Sequence, residues 1–164
     1  MKKKIKKEYP LEHSDISPTN GLDLDERMAL EHFYGKDQEE AVALFEENFG
    51  YYAEDLAYMG HEAFLYYLGS VRSYLERHED KFDPSDYVST AYDLLCVFEC
   101  RRILSPSWQQ ELSDVFLWII DFIKKHLLQI VQNDDSWFVD PMLASEKKIM
   151  SLIRRWSKWE YLAE

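Results

Sequence analysis

Five histidines, two cysteines and two adjacent acidic pairs are the residues of this chain best suited to chemistry, and their spacing limits what they can do. The histidines fall at 13, 32, 61, 78 and 126, so no two are closer than 17 positions. A helical zinc site with histidines at i and i+4 is therefore excluded. A di-iron centre in a helical bundle needs Glu three residues before His on two helices. Here those places hold Pro10, Ala29, Tyr58, Leu75 and Ile123, none of them acidic. Cys96 and Cys100 sit four apart, on one helical face. With no further ligand nearby they read as buried, unreactive thiols. Neither a metal nor a cofactor is expected. The glycines at 21, 35, 50, 60 and 69 match neither a Walker loop nor a dinucleotide-binding turn. No serine stands in the G-x-S-x-G context of a hydrolase elbow. Glu46-Glu47 and Glu54-Asp55 offer carboxylates for acid–base work. Adjacent helical positions point about 100° apart, which suits a solvated face better than a shared pocket.

One pair carries an enzymatic alternative. Arg72 and His78, in RSYLERH, resemble the Arg…His pair of the HEPN-type helical ribonucleases. That resemblance implies RNA cleavage at a bundle interface. It covers two residues, with Ser73 a loose match to the polar residue that follows the arginine.

Charge argues against an RNA channel. MKKKIKKE at the start carries net +4, while the whole chain is formally −12, so the other 156 residues carry −16. Such a body repels phosphate backbones and attracts a basic protein. No nucleic acid is expected to bind through it. The longest wholly apolar run, Val115 to Ile120, is six residues, far short of a bilayer span. No signal-peptide core follows the lysines, and two cysteines are too few for a secreted disulfide scaffold. The expectation is a cytoplasmic protein without membrane contact.

The elements that would position these groups are helical. Asp23 with Glu26, and Asp37 with Glu40, have capping-box spacing. The first helix should bury Leu24, Met28 and Phe33 and stop at Gly35. The second buries Ala41, Leu44, Phe45 and Phe49 and stops at Gly50. A short helix then runs from Tyr51 to Met59, and a longer one from about His61 to His78. The long helix carries a stripe of Phe64, Tyr67, Leu68, Val71, Tyr74 and Leu75. Gly69 inside it reads as a place where a neighbouring helix comes close. Asp83-Pro84, Ser105-Pro106 and Asp140-Pro141 each put a cap residue before a first-turn proline, which predicts helices at about 84–103, 106–132 and 141–161. No strand alternation or hairpin turn competes. The reading is an all-α, single-domain bundle of six or seven helices over 21–164, preceded by a flexible basic arm at 1–20.

The densest sequence is Phe45 to Tyr74, with nine of the 25 aromatic residues and three of the five glycines. Within it, GKDQEEAVALF (35–45) followed by EDLAYMGHEAFLYYL (54–68) resembles a set of small bacterial helical proteins to which no function is assigned. The resemblance implies a bacterial, cytosolic, helical protein and carries over no catalytic residue. One stripe cannot bury Tyr51, Tyr52, Tyr66 and Tyr67 together, so several tyrosines should reach the surface beside carboxylates. Tyrosine offers large contact area at low entropy cost. The expected surface for a basic protein partner is therefore Tyr51, Tyr52, Glu54, Asp55, Tyr58 and Tyr66. An immunity- or antitoxin-like inhibitor is the leading reading. The HEPN-like ribonuclease is one alternative. The other is a small-molecule pocket between the central stretch and the 106–132 helix. The Trp156/Trp159 side of the last helix is a candidate contact with a second copy, so a homo-oligomer belongs among the expected assemblies.

Overall fold

The computed structural model describes residues 11–101 and 114–132. The Lys-rich head, the helix starts at Ser105-Pro106 and Asp140-Pro141, and the 141–161 helix with Trp156 and Trp159 lie outside the described residues. Among those described, the chain is all-α, with six helices and no strand. None of these helices is long and apolar enough to cross a membrane. The backbone gathers into two compact units, one up to Arg77 and one from His78.

The first unit holds α1 (His13–Ile16), α2 (Leu24–Phe33), α3 (Gln38–Asp55) and α4 (His61–His78). Helix α4 has the expected bounds. All six residues of its predicted stripe are buried, Tyr67, Leu68, Val71 and Leu75 completely. Phe33 of α2 and Phe45 and Phe49 of α3 complete the interior. Ring centroids lie 4.8 Å apart for Phe33–Tyr67, 5.5 Å for Phe45–Phe49 and 4.8 Å for Phe49–Tyr74. Each such fully buried ring or branched aliphatic contributes about 1.5–3 kcal/mol of transfer free energy. The Tyr67 hydroxyl is satisfied at the α2–α3 turn, where it lies 2.8 Å from the carbonyl oxygens of both Phe33 and Lys36. Gly35 makes that turn with φ +76°, a conformation that favours glycine.

Four local expectations differ from the structure. Residues 11–20, read as part of the arm, are folded: Leu11 is buried, and Ile16 and Ser17 are completely so. Glu12 and Asp15 cap α1 reciprocally, a short signal without apolar periodicity. In α2 the predicted apolar side is turned. Its buried face runs through Glu26, Ala29 and Phe33, which leaves Leu24, two positions and about 160° from Glu26 around the axis, largely exposed. Helix α3 does not stop at Gly50. It breaks instead at Asn48 (φ −158°, ψ 94°), whose side chain accepts a hydrogen bond from Tyr51 N at 3.2 Å and so caps the second half. Finally, Glu26 does not close a box onto Asp23. Its Oε2 accepts from Ser17 Oγ, Thr19 N and Thr19 Oγ1 at 3.0, 2.9 and 2.7 Å, which ties the α1–α2 loop down. The Asp37–Glu40 box forms as expected, at 2.9 Å in both directions.

The second unit holds α5 (Pro84–Cys100) and α6 (Asp114–Gln132). Asp83 Oδ1 accepts from Ser85 N and Asp86 N at 2.7 and 2.9 Å, the cap that its place before Pro84 predicts. Leu94, Leu95 and Phe98 of α5, and Ile119, Ile120 and Ile123 of α6, are buried. The expectation of two buried thiols fails: Cys96 is half-buried and Cys100 exposed, one turn nearer the end of α5.

Candidate functional site

Two clusters of ionisable side chains stand out, one in each unit. In the first unit, the end of α3 brings Asp55 against His32 of α2. His32 Nδ1 lies 2.6 Å from Asp55 Oδ2, so the pair shares one hydrogen. Both are largely withdrawn from water, with side chains 17% and 10% exposed. The His32 ring is in turn flanked by Tyr51 and Tyr52, with centroids at 5.4 and 5.1 Å. The two tyrosine rings meet edge to face at 5.0 Å. Four side chains from two helices thus form one fixed group. Tyr51 is its exposed member, at 50%, and Tyr52 is half-buried. Glu47, just before the break at Asn48, and Glu54, in the half after it, are both exposed on α3.

The electrostatics follow from that geometry. Burial pushes the Asp55 carboxyl above the usual carboxylate range. The hydrogen bond and charge of His32 oppose the shift, while Glu54 and Asp25 reinforce it. Desolvation, with the Glu47 carboxylate beside it, raises the Tyr52 hydroxyl above the ordinary phenol value. A raised Asp55 favours folding most below the carboxyl's unfolded range, and that contribution is lost as pH rises through the folded value. Asp55→Asn keeps an oxygen for His32 and removes this titration. Denaturant unfolding across acidic to neutral pH should then show the variant gaining on the natural chain as pH rises. A constant difference would contradict the assignment.

The surface expected from sequence is therefore only partly assembled. Tyr51, Tyr52 and Glu54 come together at the end of α3. Asp55 is not a surface residue: it turns inward to His32, because the side chain one position past the exposed Glu54 points about 100° away. Tyr58 lies in the turn before α4, half-buried. Tyr66 is half-buried on α4, its ring 5.0 Å from that of Tyr67. His32 was missed as a partner, since 23 positions separate it from Asp55. Tyr67 is the one tyrosine of the four that is wholly buried. Six positions on one helix put Arg72 and His78 about 120° apart around the axis. Arg72 Nε donates to Glu76 Oε1 at 2.8 Å, and the His78 ring stacks on Phe82 at 6.1 Å.

In the second unit Glu79 gathers three partners. Lys125 Nζ donates to its Oε1 at 2.7 Å, and His126 Nε2 lies 3.1 Å from the same oxygen. The Tyr87 hydroxyl donates to the Glu79 carbonyl oxygen. Lys125, with His126 adding, holds the Glu79 carboxyl below its usual range. His126 is buried, stacked on Tyr87 at 4.1 Å and packed against Phe122 at 4.5 Å. With one ring face stacked on Tyr87 and Phe122 packed at a tilt beside it, this cluster fastens α6 to the start of the unit. No group of three or more potential metal ligands occurs among the described residues.

No protein family, curated protein or solved structure matches the chain. What the molecule does must be argued from the two clusters and the charge around them.

Proposed function

We propose that this chain is a non-enzymatic, acidic helical interaction domain that covers a basic protein partner, in the manner of an immunity or antitoxin-like inhibitor. The observation that carries the reading is the Tyr51–Tyr52 pair, held rigid by His32 and Asp55 and bordered by exposed Glu47 and Glu54. Rings already fixed in place lose little entropy on binding. Their faces attract lysine and arginine through cation–π contact. The setting reinforces this, since residues 11–77 hold 15 Asp and Glu against 4 Lys and Arg. Two of those four cations are already engaged, Arg72 with Glu76 and Arg77 with Glu39. Such a field speeds encounter with a positive surface and weakens with salt.

The reading is tested by affinity capture with the full chain from the source lysate at low and high ionic strength. A basic protein retained at low salt and released at high salt is the expected result. Recovery of no partner at either salt concentration would remove the support for it.

A further inference from the structure

The exposed side of α3 has a candidate occupant within the chain itself. We propose that the Lys-rich head, Lys2 to Lys7, docks on the Tyr51–Glu54 face and competes there with the basic partner. The inference rests on the preceding reading in that both use this one face. The sequence supplies the charge: lysines at 2, 3, 4, 6 and 7 stand in six positions, in a chain whose other residues are strongly acidic.

The fold supplies the placement. The head is joined to the first unit through Leu11, which is buried, and α1. His13 of α1 stacks edge to face on Tyr34 at 5.8 Å, and Tyr34 follows His32 by two positions. Gly60, five positions after Asp55, donates its N–H to Ile16 O at 3.2 Å. The chain therefore enters the unit at the end that holds His32 and Asp55. An extended chain spans about 3.3 Å per residue. Lys7 can then reach about 13 Å from Leu11, and Lys2 about 30 Å. Tyr51 and Glu54 lie three positions apart on α3 after its break at Asn48, Glu47 lies just before the break, and all three are exposed. Lysine ammonium groups fit that set as salt-bridge donors to the carboxylates and as cations over the Tyr51 ring. A tether of this length gives an effective concentration of about 1 mM. Against an intrinsic affinity near 0.1 mM, that would weaken any competing cationic peptide about tenfold.

The probe is a labelled synthetic peptide of the head's own sequence, KKKIKKE, titrated into two full-length chains. One is the natural chain; in the other, all five head lysines are replaced by glutamine. The glutamine chain should bind the peptide about tenfold more tightly, and Tyr51→Ala in that background should remove the gain. Carbodiimide coupling of the natural chain should join head lysines to Glu47 and Glu54, with a yield independent of protein concentration. Equal peptide affinity in the two chains, or coupling spread evenly over carboxylates elsewhere, would overturn the inference. A partner still captured through Tyr51 by the glutamine chain would leave the preceding reading standing while this one fell.

Discussion

Tyr67→Ala should lower the stability of the first unit by about 3–5 kcal/mol, the range for removing a buried aromatic ring. The ring is completely buried against Phe33, and its hydroxyl meets two carbonyls of the α2–α3 turn. Two effects are therefore lost together, cavity packing and the clamp on Gly35. Tyr67→Phe separates them. It keeps the ring and removes the hydroxyl, so the expected loss is about 1–2 kcal/mol, the cost of leaving buried carbonyls less satisfied. Urea unfolding of the three chains checks both values. Equal losses for Ala and Phe would mean that packing contributes little at this position.

Gly60→Ala is the second substitution with a large expected effect. A Cβ built at Gly60 would stand 2.2 Å from the Asp15 carbonyl oxygen and 3.2 Å from Pro18 Cγ. The first contact is with backbone, so no side-chain rotation relieves it. Either α1 moves away or the start of α4 does. Moving α1 would expose Ile16 and Ser17, both fully buried, and lengthen the Gly60 N–Ile16 O hydrogen bond. The expected cost is about 3 kcal/mol, at the upper end of what overpacking commonly produces. Hydrogen exchange should show protection lost around residues 12–18 before the rest of the unit opens. Unchanged protection there would contradict the close approach.

Much of the fold could be read from local chemistry, because local chemistry decides it. The α4 stripe repeats every three to four residues over about three turns, and packing follows from that period alone. Asp37 with Glu40, and Asp83 before Pro84, satisfy the same backbone donors wherever they occur. Legibility stopped where a side chain had two competing uses. Glu26 has the spacing to close a box on Asp23, yet the Ser17 and Thr19 donors hold it in a buried site. Gly50 looked like a helix stop, but the break falls at Asn48, whose amide can cap the helix that follows. The site was half legible for the same reason. Exposed tyrosines beside carboxylates were apparent from density of type. The His32–Asp55 bond that fixes them joins two helices and leaves no local pattern.

The central claim is that the rings at the end of α3 form the face by which this acidic domain holds a basic partner. The most direct test is paired affinity capture with the natural chain and a Tyr51→Ala/Glu54→Gln chain, quantified by mass spectrometry at one low ionic strength. Glu54 is exposed and Tyr51 is 50% exposed, so the loss of stability should be small, and denaturant unfolding of both chains checks it. The account predicts that basic proteins held by the natural chain are depleted at least about tenfold on the variant, a loss of about 1.4 kcal/mol in binding. Equal retention by two equally stable chains would contradict it.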